Sequence, residues 1–308
     1  MRVFLNPNCD YGQGKKKWER LAPEIQSYWG NFKIEEIESP GALPAQLKKA
    51  ALAGERFFVA AGGDGTVNLV ANALLELALA RHGVVLGAIG LGSSNDFHKP
   101  FKAQNFIEDV PVRLDRDQSL DCDLIQVKYK KGAQPFQKRY CLINASIGIT
   151  AEANAFYNSR QTWLEFIQRF SVEAAIVASA LKTIFTFGNI PSLLNSEYFG
   201  LTRLLLTNLS VIKNPHFAGG LYYDTIINPD DGKMEINLCY DMSRLEAVKT
   251  LVKLYKHRFI GQPKTESWSE TSFSISSRRP FALEMDGEVV EADYAEFSLI
   301  PQALRCCR

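Results

Sequence analysis

The sequence predicts two domains, an α/β domain followed by an antiparallel β domain. In roughly the first 115 residues, short apolar runs alternate with amphipathic stretches, which is the pattern of an α/β layer. Beyond that point β-like runs dominate, and helical segments interrupt them only near 151–187 and 243–258. A chain of 308 residues with 46% hydrophobic residues is long enough to bury two cores.

The elements of the first domain follow one another in a regular order. Apolar runs rich in β-branched and aromatic residues predict four strands. For the second strand, the run marks only where the strand begins. These runs are Val3–Leu5, Phe32–Ile34, Phe57–Ala61 and Val84–Ile89. Apolar residues recur at helical spacing between them. The predicted helices are Lys16–Trp29, Pro44–Ala53 and Thr66–Arg81.

The second domain is predicted mainly from short β-like runs. They are Leu124–Tyr129, Arg139–Asn144, Leu201–Leu209, Met234–Cys239, Ser272–Ile275, Phe281–Met285 and Phe297–Ile300. The first two are expected to form a hairpin. We place the domains at 1–118 and 119–292, with the tail 293–308 joining the first domain. Because no long Pro- or Ser-rich linker separates them, the domains are expected to pack closely, with the active site in the cleft between them.

Composition excludes several classes of function. The formal net charge is +1, so the chain has no global basic field that would attract nucleic acid. Its six cysteines show no C-x-x-C pair and no zinc spacing, which is typical of reduced thiols in a cytoplasmic protein. The N-terminus lacks the pattern of a secretory leader. The apolar segment 163–187 carries too many charges for a membrane span and is expected to be amphipathic.

A glycine-rich turn, Gly62–Thr66 with the sequence G-G-D-G-T, joins the third strand to the third helix. Glycines allow backbone N–H groups to approach an anion closely, and a helix N-terminus adds unpaired donors. Thr66 can cap the helix or bind phosphate, and Asp64 can reach a metal ion. A plain glycine turn with Asp64 as a local cap explains the five residues equally well.

Two further loops leave strand ends of the same domain. Gly90–Asp96 offers the hydroxyls of Ser93 and Ser94. Asn6–Gly14 is followed by three lysines, which are expected to be a solvated helix start, with phosphate steering as the alternative. In an open parallel sheet, ligands bind beyond the carboxyl ends of the strands, so these loops are expected to face the glycine turn. Neither a Walker P-loop nor a dinucleotide fingerprint is present.

Three carboxylates lie on or near these loops, namely Asp64, Asp96 and Asp121. Each one alone is typical of a cap or turn residue. Together at strand ends they favour a hard cation such as Mg²⁺, which keeps several waters and bridges phosphate oxygens.

Near the C-terminus, Asp286-Gly287 stands between two β-like runs and is followed by Glu288. An Asp-Gly pair in this setting predicts a two-residue hairpin turn, and Glu288 is then an ordinary exposed strand residue. The alternative makes Glu288 a general base that takes a proton from an acceptor hydroxyl. The residues alone favour the hairpin.

Several short motifs together resemble the diacylglycerol kinase catalytic-domain family, which includes bacterial lipid kinases and sphingosine and ceramide kinases. Their order and spacing carry the resemblance over almost the whole chain. The matching pieces are Asn6-Pro7 with Gly12 and Gly14, Gly62–Thr66 with Asn68 and Asn72, Leu91–Phe97, Gly219-Gly220 with Asp230–Gly232, and Asp286–Glu288.

This resemblance implies a Rossmann-like N-terminal domain that binds ATP and a C-terminal β-sandwich that receives a lipid. It implies an ATP-dependent kinase that phosphorylates a lipid hydroxyl at the membrane surface through peripheral contact, and it leaves a homodimer open. The implied nucleotide-site residues are Asn6, Ser39, Gly62, Gly63, Asp64, Gly65, Thr66, Asn68, Ser93 and Asn95.

The resemblance also assigns catalytic and metal roles. Glu288 is implied as the general base, with Asp64 as the second catalytic residue. Asp64, Asp96 and Asp121 are implied to hold the catalytic Mg²⁺ through water. Asn228, Asp231 and Lys233 match a structural Mg²⁺ site of some bacterial members, the first and third through backbone carbonyls.

Two other functions remain open at this stage. An NAD kinase-like phosphotransferase shares the G-G-D-G-T turn, although the loop at Asp96 and the terminal D-G-E favour a lipid kinase. A catalytically silent nucleotide- or lipid-binding protein is suggested by Leu69, which stands where many family members carry an acid. The acceptor lipid cannot be identified from the sequence.

Overall fold

The computed structural model describes residues 1–99, 106–159, 163–164, 166–167, 171–218 and 220–308. The chain forms two compact units. The first consists of Met1–Asp123 and Pro301–Arg308, and the second of Leu124–Ile300. The chain enters the second unit within the strand Leu120–Lys130 and returns within the strand Glu288–Cys306.

The first unit is built on a parallel sheet. Its strands in chain order are β1 (Arg2–Leu5), β2 (Lys33–Glu36), β3 (Phe57–Gly62), β4 (Val85–Gly90), β5 (Phe106–Ile107) and β6 (Val110–Arg113). The first four lie in the order β2-β1-β3-β4 and are parallel. The edge of β4 that faces away from β3 pairs with two segments. One is the antiparallel strand β6, and the other is the parallel chain end at Arg305–Cys306. The C-terminal tail therefore completes this sheet.

Helices connect the parallel strands. They are α1 (Cys9–Gly12), α2 (Gly14–Trp29), α3 (Leu43–Leu52) and α4 (Asp64–Glu76), followed by 3₁₀ turns at Leu79–His82 and Asp96–His98. Apolar side chains of α2 pack with those of β1, β3 and β4 in one buried core. Helix α4 ends earlier than its apolar spacing predicts, because Ala78 adopts a left-handed conformation with φ of 54°.

The second unit is an antiparallel β structure. Its strands are β7 (Leu120–Lys130), β8 (Gln137–Cys141), β9 (Asn144–Gly148), β10 (Ile190–Ser196), β11 (Gly200–Ile212), β12 (His216–Phe217), β13 (Leu221–Tyr222), β14 (Met234–Tyr240), β15 (Thr265–Glu270), β16 (Ser272–Met285) and β17 (Glu288–Cys306). The long strands β11 and β16 each pair with β10 in their first half and with β9 in their second half. Register shifts accompany these changes of partner, and bulges of this kind bend a strand between two layers. The predicted fold class, an α/β domain with an antiparallel β domain, is confirmed.

The fully described helices of the second unit are α5 (Ile149–Asn158), α6 (Val172–Thr186) and α7 (Arg244–Tyr255). The segment 163–187, predicted to be amphipathic, lies only partly within the described residues, where Trp163 and Phe166 are exposed and Leu164 is buried. No helix in the described parts of the chain has the length and apolar character needed to cross a membrane.

Two strand predictions need correction. The run Arg139–Asn144 is not one strand, because β8 ends at Cys141 and β9 begins at Asn144. The reason is a distant side chain, since the carboxylate of Asp286 accepts hydrogen bonds from the N–H groups of residues 142–144 and so occupies the donors of a ladder. The runs Ser272–Ile275 and Phe281–Met285 are parts of the single strand β16.

Candidate functional site

The glycine turn after β3 lies directly against the loop after β4. The N–H of Leu91 donates to the carbonyl of Gly62 at 2.9 Å. A Cβ on Gly92 would stand 2.5 Å from Cα of Gly63, so the two backbones approach more closely than any side chain permits. A Cβ on Gly62 would meet the Thr66 hydroxyl at 2.3 Å. The expectation that these two loops share one edge of the sheet is therefore fulfilled.

This close approach gives a testable prediction for Gly92→Ala. The added methyl group would collide with backbone atoms, which cannot rotate away, so we expect the variant to lose about 1–3 kcal/mol of unfolding free energy. Gly65→Ala is the matched control, because its Cβ meets nothing within 4 Å. We expect that control to gain about 0.5 kcal/mol from reduced unfolded-state entropy. Urea unfolding of both variants measures this difference. Equal unfolding free energies would contradict the close approach of Gly92 to Gly63.

Asp64 connects the two loops by hydrogen bonds. Its Oδ2 accepts the N–H of Asp96 at 3.0 Å, and its Oδ1 accepts the N–H of Phe97 at 2.9 Å. Both donors belong to the 3₁₀ turn Asp96–His98, so Asp64 stabilises that turn from 32 and 33 residues away. Asp64 is also the first residue of α4, where a negative charge is favourable. We call this arrangement the Asp64 clamp.

Two asparagines hold the neighbouring loops. Nδ2 of Asn6 donates to the Thr66 hydroxyl at 3.0 Å, which joins the loop after β1 to the glycine turn. Asn95 has a left-handed backbone, and its Nδ2 donates to the carbonyls of Gly90 and Gly92 at 3.0 and 2.9 Å. The side chain of Asn95 thus shapes the loop from inside.

The remaining predicted nucleotide residues differ in exposure. Gly65 and Ser93 are exposed, whereas Asn68 is buried and accepts a hydrogen bond from Asn72 at 3.1 Å. The Ser39 hydroxyl is exposed and accepts the N–H of Ala42 before α3. Gly65 and Ser93 therefore offer accessible polar groups to a ligand.

Lys17 is a residue that sequence reasoning undervalued. We expected it to be part of a solvated helix start, but its Nζ lies 2.8 Å from Asp10 Oδ2 and 3.5 Å from the carbonyl of Leu91. It thus brings a positive charge to the loop after β4. Its position in the first turn of α2, next to a loop that leaves a strand end, is the signal that could have identified it.

The carboxylates predicted for Mg²⁺ do not form a direct metal cage. Within the described ranges, no three His, Cys, Asp or Glu side chains come together closely enough to hold a metal ion. Asp64 belongs to the clamp, Asp96 forms an ion pair with Lys99, and Asp121 is exposed on β7. Mg²⁺ keeps most of its waters and bridges phosphates, so Asp64 and Asp96, which lie on adjoining loops, suit contact with a hydrated ion through water.

In the second unit, the D-G-E turn is held by Asp286. Its carboxylate accepts the N–H of Leu142 at 2.7 Å, of Ile143 at 3.0 Å and of Asn144 at 2.9 Å. Asp286 is buried and has a left-handed backbone with φ of 46°. The next residue but one, Glu288, is exposed and forms an ion pair with Arg139. The turn is therefore fixed from inside while Glu288 faces solvent.

Two family models match the chain. Residues 1–127 match the model of the diacylglycerol kinase catalytic domain, and residues 145–308 match the model of the YegS C-terminal NAD kinase beta sandwich-like domain. The chain belongs to the diacylglycerol kinase catalytic-domain family. This confirms the resemblance drawn from the motifs.

Similar proteins of this kinase family are found in bacteria. One from Enterobacter sp. (strain 638), named "Probable lipid kinase YegS-like", is 24% identical over 268 residues, which cover 84% of this chain and 80% of that protein. A crystal structure named "putative diacylglycerol kinase" from Bacillus anthracis strain Sterne covers 99% of this chain and 96% of its own at 16% identity, with a TM-score of 0.73. Another diacylglycerol kinase structure from that strain has a TM-score of 0.69 at 14% identity and covers 99% of this chain and 95% of its own. These structures support the fold.

Glu284 is an acid close to the D-G-E turn that the sequence analysis did not identify. It is 2% exposed and accepts hydrogen bonds from Gly287 N–H at 2.6 Å and from the Ser146 hydroxyl at 2.7 Å. Burial raises the pKa of Glu284 to about 7; these hydrogen bonds oppose the rise, and the neighbouring Asp286 carboxylate adds to it. An acid two positions before the turn in a strand was the available signal.

Glu284 predicts a pH dependence of stability. The pKa of Glu284 is about 7 in the folded protein, compared with an ordinary value of 4.5. Between these two pH values the native state therefore binds more protons than the unfolded state. Stability from this group is therefore present below pH 4.5 and is lost as the pH rises to 7, by up to about 3 kcal/mol. Glu284→Gln should remove the effect, because glutamine does not titrate.

The measurement is urea unfolding of the wild type and Glu284→Gln at pH 5, 6, 7 and 8. The unfolding free energy of Glu284→Gln relative to that of the wild type should increase with pH. Glu288→Gln serves as the control, since Glu288 is exposed. A constant difference between wild type and Glu284→Gln would show that Glu284 does not titrate in this range.

The three residues implied for a structural Mg²⁺ do come together. The carbonyls of Asn228 and Lys233 and the carboxylate of Asp231 converge on one point. That point is occupied by the amino group of Lys213. A divalent ion therefore does not fit between these oxygens as they stand.

Proposed function

We propose that this protein is an ATP-dependent lipid kinase, which transfers the γ-phosphate of ATP to a hydroxyl group of a lipid such as diacylglycerol or a sphingoid base. The observation that carries the proposal is the Asp64 clamp, which brings a glycine turn, a helix N-terminus and two carboxylates to one edge of a parallel sheet. Membership of a kinase family supports phosphoryl transfer.

The first unit supplies the nucleotide site in this proposal. The N–H groups in the first turn of α4 have no partner within the helix and favour an anion, so they suit phosphate oxygens. Gly65 has open space where a side chain would stand, which leaves room for the phosphates. The remaining residues of the proposed site are Asn6, Ser39, Gly62, Gly63, Asp64, Thr66, Asn68, Ser93 and Asn95.

Asp64, Asp96 and Asp121 would hold Mg²⁺ through water. When bound, the ion supplies neutralisation of the negative charge on the phosphates. The clamp fixes Asp64 by two hydrogen bonds, so its carboxylate does not need to reorganise when the nucleotide binds. Lys17 adds positive charge beside the same loop.

Glu288 is the proposed general base. Its carboxylate is exposed, so a hydroxyl group can reach it. In this proposal Glu288 takes the hydroxyl proton as the oxygen bonds to the γ-phosphorus and the bond to the bridging oxygen breaks, so that ADP leaves. Arg139 orients this carboxylate through their ion pair. Asp286 keeps the turn in place through its three backbone hydrogen bonds.

An apolar cavity in the second unit favours a lipid acceptor. It has a volume of about 1080 Å³, which is large enough for an acyl chain. Leucines contribute apolar surface, and the charged lining consists of three arginines and two acids, namely Arg203, Arg278, Arg279, Asp241 and Glu266. A lipid drawn from a membrane by peripheral contact would find both apolar and anion-binding groups there.

The deciding experiment incubates the purified protein with γ-labelled ATP, Mg²⁺ and a total lipid extract, and in parallel with NAD. A labelled lipid supports the proposal, and its identity gives the acceptor. Labelled NAD without labelled lipid would point instead to an NAD kinase-like enzyme. Nucleotide binding without any labelled product would contradict kinase activity and indicate a silent binding protein.

A further inference from the structure

We propose that the ammonium group of Lys213 is the resident cation of the Asn228–Lys233 loop, at the place where the family resemblance implies a structural Mg²⁺. Its Nζ lies 2.7 Å from the carbonyl oxygen of Asn228, 2.7 Å from that of Lys233 and 3.1 Å from Oδ1 of Asp231. All three oxygens that were expected to hold the metal therefore point at one amino group of the chain.

The number and length of these contacts match an ammonium ion. A lysine ammonium has three N–H donors and no acceptor, and three oxygen acceptors from the described residues of this loop receive it. The distances of 2.7–3.1 Å are ordinary for charged N–H···O hydrogen bonds. Mg²⁺ would require oxygens at about 2.0–2.1 Å in near-octahedral geometry. The observed distances therefore match contacts to an ammonium nitrogen and are too long for contacts to Mg²⁺.

Burial and charge favour the same occupant. The side chain of Lys213 is 3% exposed, and a buried cation is tolerated only when it is paired and hydrogen-bonded. Burial alone would raise the pKa of Asp231, but hydrogen bonds from Lys213 and from the Lys233 N–H bring it below its ordinary value. A divalent ion among these oxygens would face the ammonium charge at short range.

The amino group comes from the sheet and not from the loop. Lys213 directly follows β11, and the N–H groups of Lys213 and Asn214 donate to the carbonyl of Ile143 at 2.9 and 3.2 Å. The ammonium therefore links the loop to a strand end whose backbone is already fixed. The conformation of the loop should then be independent of the Mg²⁺ concentration.

Thermal melting without nucleotide tests this inference, and it does not depend on kinase activity. The wild-type Tm should change by less than about 1 °C on addition of EDTA or of about 10 mM Mg²⁺. Lys213→Ala leaves three oxygens without a cation, so its Tm should fall by about 5 °C or more. Mg²⁺ should then raise the Tm of this variant by several degrees, because the vacated site has oxygen ligands only.

Lys233→Ala is the matched control, since it removes an exposed lysine of the same loop and keeps the backbone carbonyl. It should melt like the wild type with and without Mg²⁺. Adding Asp231→Ala to Lys213→Ala should abolish the Mg²⁺ response, which locates the response in this loop.

Three results would overturn the proposal. A wild-type Tm that falls on chelation would show a resident metal, and this measurement stands even if Lys213→Ala does not fold. Equal melting of Lys213→Ala and Lys233→Ala would show that the ammonium does not stabilise the loop. A Lys213→Ala variant whose Tm does not change on addition of Mg²⁺ would show that these oxygens are not a cation site.

Discussion

Glu288→Gln is expected to lower the rate of lipid phosphorylation by about 10²–10⁴-fold, because glutamine cannot accept the proton of the attacking hydroxyl. Nucleotide affinity should stay unchanged, since the proposed nucleotide site belongs to the first unit and Glu288 to the second. The measurements are single-turnover transfer of labelled phosphate to the identified lipid and binding of a fluorescent ATP analogue.

Glu291→Gln is the matched control for this variant. Glu291 lies on the same strand, is exposed and pairs with Lys131 in the way that Glu288 pairs with Arg139. This control should retain full activity. An unchanged rate in Glu288→Gln, or an equal loss in both variants, would remove Glu288 from the mechanism.

Asp64→Ala is expected to have the largest effect in the first unit. It leaves the N–H groups of Asp96 and Phe97 without their carboxylate acceptor, which should cost about 3 kcal/mol or more of unfolding free energy. Phosphoryl transfer should fall at least about 100-fold, because the clamp and a proposed Mg²⁺ contact are lost together.

Hydrogen exchange measured by mass spectrometry separates the clamp from a general loss of stability. Amides in the 91–98 segment should exchange faster in Asp64→Ala than in the wild type, beyond any change in the strands. Glu76→Ala is the control, because Glu76 is an exposed acid at the other end of the same helix. If the 91–98 segment keeps wild-type protection in Asp64→Ala, the clamp does not stabilise that turn.

Local patterns in the sequence predicted most of the first unit. Strands β1 and β3 and helices α2 and α3 lie within a few residues of their predicted bounds, because alternation of apolar runs and helical spacing are properties of neighbouring residues. The end of α4 was missed, since the left-handed turn at Ala78 is not a strong local signal. In the second unit, β10 was not predicted at all, because its run contains Pro191 and only one β-branched residue.

The candidate site was predicted in part. Motif order located the glycine turn, the loop at Asp96 and the D-G-E turn, and these motifs identified the family. The sequence did not show what Asp64 binds within the fold, since its two N–H donors are 32 and 33 residues away. It likewise showed Glu284 only as an acid two positions before a turn, because the burial of this side chain depends on distant segments.

By itself, the sequence determined the order of elements and the chemical groups on the loops, because both depend on residues close together in the chain. The tertiary structure decided which of these groups meet. It placed the carboxylate of Asp286 on three backbone donors more than 140 residues away, and the ammonium of Lys213 on a loop for which the family resemblance implied a metal. Hydrogen bonds and burial of this kind exist only after distant segments have packed, so no local pattern contains them.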